Sequence, residues 1–265
     1  AAGQALGIPA TVTVSGAAAY NNSYEASSVQ AFAAAGDPSL LRVSQVDYVK
    51  PEQMQSMEFG FRGKLSRTFT VDAAVYRNDF QDFINTQVVL SPLYGEVGDG
   101  GLSVLAMANG DFETWSSYTN SPAEISSWGI SLGAQTKIFG NFDLSANYTK
   151  AKLEFEQELY PDFRTNWNTP EHKIKAQFGN TELFKNFGFN VAWRYWSEYL
   201  WQASFGDGMV PETHVIDAQF NLTVPKWKST IKVGATNLGG EEYFTAFGSG
   251  FIGTQYYISW TANNF

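Results

Sequence analysis

Side chains that could carry out chemistry are few in this sequence. The two histidines, His172 and His214, form no histidine–glutamate pair at zinc-site spacing, so a zinc hydrolase is not predicted. The chain contains no cysteine, which excludes thiolate metal ligands and disulfides. We also expect no strand-to-helix nucleophile elbow of the serine-hydrolase kind. These observations predict a protein that is not an enzyme and that holds no metal and no cofactor.

Aromatic side chains in long connecting segments are the best candidates for ligand contact. Flat aromatic faces in a wet vestibule can stack on sugars or pack against peptide side chains. The alternative is that they pack loop against loop or lie at a membrane interface. The candidate ligand-binding residues are Trp115, Tyr118, Trp167, Tyr199, Trp201 and Phe205.

Composition limits the class of protein. The 265 residues are 44% hydrophobic and only 16% charged, whereas soluble globular chains are usually about 25% charged. The net charge of −9 argues against a nucleic-acid partner, which requires a basic surface. No apolar run approaches the roughly 20 residues of a membrane-spanning helix. This combination suits an outer-membrane barrel, although a soluble carbohydrate-binding β-sandwich also fits.

Alternation of apolar and polar residues predicts nine β-strands from residue 51 onward. On one face of the segment 137–148 we expect Phe142, Leu144, Ala146 and Tyr148, and on the other Asp143, Ser145 and Asn147. Phe220 and Leu222 belong to the apolar face of a later strand. In a membrane barrel these apolar faces contact lipid and the polar faces line the lumen. In a sandwich they would meet a second sheet and water.

Loop lengths favour the barrel. Short connections near 66–67, 139–141, 180–186 and 225–229 alternate with long ones near 85–122, 153–170, 197–213 and 237–250. Because alternate connections of antiparallel neighbours lie at opposite ends, all long loops fall on one side, as in outer-membrane barrels. Residues 8–20 could add a tenth strand and so complete a small barrel. Otherwise the strands are the last part of a larger barrel.

Several motifs resemble those of the TonB-dependent outer-membrane receptors. They are Pro51-Glu52, Glu58-Phe59-Gly60 and Tyr76 to Ile84 within residues 46–84, then "NTPEHK" (168–173) and "VGATNLGGEEYFTAFG" (233–248). The last residue, Phe265, resembles the terminal aromatic that serves as an assembly signal in such barrels. The resemblance covers residues 46–265, and "SVQAFAAAGDPSLL" (28–41) is similar to receptors of the Bacteroidetes group.

The resemblance implies an all-β, antiparallel transmembrane barrel of about 22 strands, of which this chain supplies the last 9–10. We expect residues 1–50 to be a loop-rich segment with one possible strand, residues 51–265 to be barrel strands, and a plug domain to lie outside this chain. The implied function is nutrient capture by extracellular loops and TonB-dependent import across the outer membrane. The implied partners are membrane lipid, lipopolysaccharide, the TonB complex through that plug, and a surface lipoprotein lid. A passive porin or small structural barrel is the alternative.

Overall fold

The computed structural model describes Gly7 and residues 14–262. These residues fall into two compact units. The first, here called the loop unit, comprises Ala1–Gln55, Asp79–Ser126 and Glu154–Asn166. The second, the sheet unit, comprises Ser56–Asn78, Ser127–Leu153 and Trp167–Phe265. Two of the long connections, Asp79–Ser126 and Glu154–Asn166, thus belong to the same unit as Ala1–Gln55, and the expected division of the chain at residue 50 stays a prediction.

The sheet unit is built on one nine-stranded sheet. Each strand of this sheet pairs with the sheet strands that come directly before and after it in the chain. The sheet strands are β2 (Gln53–Lys64), β3 (Thr70–Gln81), β6 (Ile125–Ile138), β7 (Phe142–Glu154), β9 (His172–Phe184), β10 (Phe187–Trp196), β13 (Thr213–Val224), β14 (Ser229–Thr236) and β15 (Gln255–Ala262). They coincide with the nine strands expected from alternation, so the predicted all-β fold is confirmed. A separate hairpin joins β11 (Tyr199–Ala203) to β12 (Gly206–Val210).

The register places apolar side chains of neighbouring strands on a common face. Leu144 pairs with Phe178, and the antiparallel β10–β13 ladder sets Phe189 opposite Phe220. This face is open despite its apolar character, since Leu144 is 37% and Phe220 is 55% exposed. Contiguous exposed apolar surface of this kind is rare in soluble monomers and is normal for a sheet that faces lipid.

Rings cluster in two groups on the apolar face. Phe142, Phe178 and Phe189 lie with ring centroids 5.4–6.2 Å apart near the short turns. Toward the long connections, the Tyr148 hydroxyl lies 2.8 Å from Nδ1 of His172, and the rings of Trp193 and Tyr195 stack near His214. Tyrosine and tryptophan rings such as those of the second group, apolar in body and polar at the tip, are typical of a membrane interface.

The opposite face is polar, and several of its side chains form hydrogen bonds or ion pairs with side chains of neighbouring strands. The Arg194 guanidinium lies 2.9 Å from the Asp217 carboxylate, and Gln177 Nε2 donates to Asn190 Oδ1 at 2.7 Å. The Tyr257 hydroxyl donates to Gln219 Oε1 at 2.9 Å. Because polar side chains of one strand meet partners on the next, this face suits the wall of a lumen, although Arg194 Nε is buried without a hydrogen-bond partner among the described residues.

The loop unit contains helices that alternation did not predict. Its elements are α1 (Ala18–Asn21), β1 (Tyr24–Glu25), α2 (Ala26–Ala35), β4 (Ile84–Pro92), α3 (Leu102–Asn109), β5 (Phe112–Asn120) and β8 (Phe163–Arg164), with β1, β5 and β8 all pairing with β4. Of the possible strand at 8–20, residues 8–13 lie outside the described part and residues 18–20 are helical. Alanine favours helix strongly, and this local preference contributes to α1 and α2 in this alanine-rich stretch.

A small core holds the loop unit together. Buried Tyr24, Val29 and Phe32 pack with Leu90 of β4 and Met107 of α3. Gly36 caps the C-terminal end of α2, and its left-handed backbone (φ 69°) lets its N–H donate to the Phe32 carbonyl. In the part of the chain that the structure describes, no helix is both long and apolar enough to cross a membrane.

Asp162 ties the segment 154–166 to this core. Its two carboxylate oxygens accept hydrogen bonds from the Ser27 backbone N–H and hydroxyl, each at 2.8 Å, and its carbonyl accepts from the Val88 N–H at 2.9 Å. Ser27 lies in the first turn of α2, which has no side-chain cap at Glu25. Asp162 therefore supplies the helix cap from a segment distant in sequence. Burial raises the pKa of Asp162, although the bonds from Ser27 oppose this shift.

A charge on the apolar face should be far more costly than one on the polar face. We expect Leu144→Arg to destabilise the protein in lipid vesicles by about 2–4 kcal/mol if the position lies near the bilayer midplane. Ser145→Arg, the adjacent residue on the polar face, is the matched control and should cost much less. Urea unfolding in vesicles measures both. Equal tolerance at the two positions would contradict a lipid-facing Leu144.

Replacing Asp162 should separate capping from charge burial. Asp162→Ala removes both Ser27 bonds and should lower the unfolding free energy of the loop unit by about 1–2 kcal/mol. Asp162→Asn keeps an acceptor and should cost less.

Asp162 should make the free energy of unfolding depend on pH, with a defined sign. Because the folded-state pKa of Asp162 is raised above 3.8, the folded protein binds this proton more tightly than the unfolded one. The stabilisation is full below pH 3.8 and is lost as pH rises through the folded-state pKa. Asp162→Asn should remove this slope in thermal unfolding measured at a series of pH values. A slope unchanged in the variant would assign it to another group.

Candidate functional site

A polar cleft lies within the loop unit and is here called the loop cleft. It has a volume of about 400 Å³. Its walls come from β1, the first turn of α2, β4 and the segment 159–163. The lining residues are Glu25, Ser27, Arg42, Gln45, Gln87, Pro122, Leu159, Tyr160, Pro161, Asp162 and Phe163.

Arg42 is the one cation of the cleft wall and is held by both backbone and side chain. Its Nε lies 2.6 Å from Glu25 Oε2, and its carbonyl accepts a hydrogen bond from the Glu25 N–H at 2.9 Å. Its own N–H donates to the Ser28 hydroxyl at 3.0 Å. The hydrogen bond to the Glu25 carboxylate, the charge of Glu25 and, more weakly, that of Asp162 raise the pKa of Arg42. With its side chain 64% exposed, Arg42 keeps donors available to a ligand.

The chemistry of the loop cleft is that of a recognition site. One guanidinium, two carboxylates and the amides of Gln45 and Gln87 offer donors and acceptors side by side, while Leu159 and Tyr160 add apolar area. Small-molecule sites combine apolar walls with a few convergent polar groups in this way. The arrangement suits a small ligand that carries both donors and acceptors.

The structure places Trp115 and Tyr118 in β5 of the loop unit, in a strand rather than in the expected open loop. Pairing with β4 orders this segment. Trp115 is partly buried against Ala19 and Val89, whereas Tyr118 is 62% exposed. Neither lines the loop cleft.

The other four aromatic candidates belong to the sheet unit. Tyr199 and Trp201 lie in β11 with their rings 6.5 Å apart, Phe205 lies at the turn between β11 and β12, and Trp167 precedes β9. The six candidates are thus divided between two units, and their role in binding remains a prediction. Sequence reasoning missed Glu25, Arg42 and Asp162, because no spacing in the sequence relates residues 25, 42 and 162.

Metal and hydrolase chemistry find little support in the geometry. Among the described residues, no three His, Asp or Glu side chains come together as a metal site. The pattern Gly-x-Ser-x-Gly does occur, at Gly129–Gly133, but it lies inside β6, which continues to Ile138. A nucleophile elbow requires a sharp strand-to-helix turn, so this serine is not exposed in that manner. Phe265, the proposed assembly signal, lies outside the described residues.

Similar folds are found among solved outer-membrane receptors. The FrpB iron transporter of Neisseria meningitidis (F5-1 variant) superposes with a TM-score of 0.56 at 13% identity over 80% of this chain and 32% of that one. The siderophore receptor PirA of Acinetobacter baumannii gives 0.52 at 15% identity over 80% and 32%. The copper transporter OprC gives 0.53 at 18% identity over 75% and 27%. At these identities the likeness concerns the fold.

A family model extends the match to sequence. The model described as "TonB dependent receptor-like, beta-barrel" matches residues 10–238. A search of curated proteins found no significant match. The matched family is one of receptors, which confirms the expectation of a protein that is not an enzyme. The chain spans less than a third of the length of the structures described above. It belongs to the TonB-dependent receptor β-barrel family of the bacterial outer membrane.

Proposed function

We propose that the protein takes part in energy-coupled import of a small polar nutrient across the outer membrane, with the loop cleft as a capture site. The observation that carries this proposal is that two long connections and the segment before β2 fold into one unit with its own core and a polar cleft. Open loops around a passive pore need no such core. Family membership supports the transport part of the proposal.

The sheet contributes the barrel wall in this proposal. Phe142, Leu144, Ala146, Tyr148, Phe220 and Leu222 contact lipid, and lipopolysaccharide surrounds the outer end. The polar face holds a plug domain that lies outside this chain, and residues 51–265 supply the last strands of a barrel of about 22. The TonB complex pulls on the plug, a surface lipoprotein covers the loops, and Phe265 acts as the assembly signal.

The polar groups and the volume of the loop cleft limit the class of nutrient that it can bind. The mixture of Arg42, two carboxylates and two amides in about 400 Å³ fits a compact ligand with several hydroxyl, amide or mixed-charge groups. A strongly anionic ligand would meet two carboxylates, Glu25 and Asp162, against one guanidinium. An apolar ligand would leave these polar groups without partners, which is costly.

Energy coupling distinguishes import from passive diffusion. Cells that express the receptor should deplete at least one compound from a defined mixture of small sugars, dipeptides and amino acids, measured by mass spectrometry of the medium. Depletion should cease in a matched strain that lacks TonB. Equal depletion with and without TonB would instead support the passive porin.

Arg42 should contribute directly to capture. Arg42→Ala should weaken binding of the depleted compound about tenfold, because a charge-assisted hydrogen bond contributes about 1.5–3 kcal/mol and solvent exposure reduces its effect. Arg67→Ala, an exposed arginine in the short turn between β2 and β3, is the matched control and should bind as wild type. Titration calorimetry on the purified receptor measures both. Unchanged affinity in Arg42→Ala would remove the loop cleft as the capture site.

A further inference from the structure

Two connections of the sheet unit pack into one surface, here called the paired loops: the β11–β12 hairpin within residues 197–213, and residues 237–254. The Tyr199 hydroxyl donates to the Thr245 carbonyl at 2.7 Å. Each segment also places a phenylalanine ring over a glycine of the other. The Phe247 ring lies against Gly208, and a Cβ added at Gly248 would lie 2.9 Å from the Phe205 ring.

This reciprocal packing fixes the two segments relative to each other. No side chain fits at either glycine without moving a ring, so the contact depends on close approach of ring and backbone. Two loops held together in this way are preorganised, and a preorganised surface loses little conformational entropy when a partner binds. The paired loops therefore have the rigidity of a docking surface.

The paired loops expose aromatic area to solvent. Phe205 is 70% and Phe251 is 67% exposed, and the Phe251 ring meets Phe244 edge to face at 5.5 Å. Leu200 and Met209 form a further exposed cross-strand pair on the hairpin. Aromatic residues are enriched in the buried centres of protein interfaces, where they supply much of the binding energy.

The negative charge of the paired loops favours a cationic partner. Residues 197–213 and 237–254 contain no lysine or arginine and carry five exposed carboxylates, on Glu198, Asp207, Glu212, Glu241 and Glu242. An anionic lipid surface would be repelled by this charge. A cationic partner would be steered toward it, and the repulsion among the carboxylates would be relieved on binding.

We propose that the paired loops dock a cationic, amphipathic peptide segment of another protein. Its apolar side chains pack on Phe205 and Phe251, and its lysines or arginines meet the surrounding carboxylates. This inference goes beyond nutrient import and uses residues that are separate from those of the loop cleft.

A designed peptide tests the docking. The probe is an immobilised 14-residue peptide with alternating lysine and leucine faces, presented to the receptor in nanodiscs of phosphatidylcholine, with empty nanodiscs as the blank. Binding should appear above the blank and weaken as salt rises, since attraction between exposed charges is screened. A peptide in which glutamate replaces lysine should not bind. Equal signal from empty nanodiscs, or equal binding of the glutamate peptide, would overturn the proposal.

Variants locate the binding surface. Phe205→Ser and the double variant Glu241→Gln/Glu242→Gln should each weaken binding of the lysine–leucine peptide by about tenfold. Phe139→Ser, a more exposed phenylalanine at the short turn between β6 and β7, and Glu124→Gln in the loop unit are the matched controls and should bind as wild type. Wild-type affinity in both paired-loop variants would overturn the assignment.

The outcome is separable from that of the proposed function. TonB-dependent depletion of a nutrient should be unchanged in the Glu241→Gln/Glu242→Gln variant when no peptide is present. Loss of peptide binding with intact import supports two separate surfaces. Loss of import in the Glu241→Gln/Glu242→Gln variant, with peptide binding retained, would instead assign these carboxylates to nutrient capture and contradict the docking role.

Discussion

Backbone N–H and C=O groups find no water in the hydrocarbon core of a membrane, so each must pair within the protein. The nine-stranded sheet meets this requirement through ladders between neighbouring strands, except at the outer edges of β2 and β15, which lie at the two ends of the strand order. Every other feature of the sheet follows from it. Once the ladders fix the register, side chains alternate strictly between two faces, and the sequence must supply apolar groups on one and polar groups on the other. The pairings of Leu144 with Phe178 and of Arg194 with Asp217 are two consequences of one constraint.

The loop unit meets a different requirement. Its chain segments lie far apart in sequence, so each has to be held by contacts that close long loops at an entropic cost. Asp162 illustrates how this is done, because a single carboxylate caps α2 through Ser27 while the same residue's carbonyl pairs with Val88. The loop cleft is a product of this closure, since its walls exist only when residues 25, 42 and 162 are brought together. In the proposed capture role, binding of a ligand would therefore also stabilise the unit.

The paired loops, as proposed, are a second kind of recognition surface. Where the loop cleft mixes charges of both signs, the paired loops combine exposed rings with carboxylates alone. The two surfaces thus suit partners of different size and charge. Glycine serves two different purposes in the chain. At Gly36 it permits the left-handed backbone that caps a helix, and at Gly208 it leaves room for the ring of Phe247.

The sequence by itself determined the sheet. Alternation of residues such as Phe142, Asp143 and Leu144 has a period of two that only a strand satisfies, and such local patterns are present without any tertiary contact. The family was also accessible, because its motifs are short and contiguous. What only the tertiary structure decided was the folding of the long connections, where helices α2 and α3, strands β4 and β5 and the loop cleft depend on partners many residues away. No local pattern records that Asp162 caps a helix beginning at residue 26, because the pairing is set by three-dimensional closure and leaves no periodic signal in the chain.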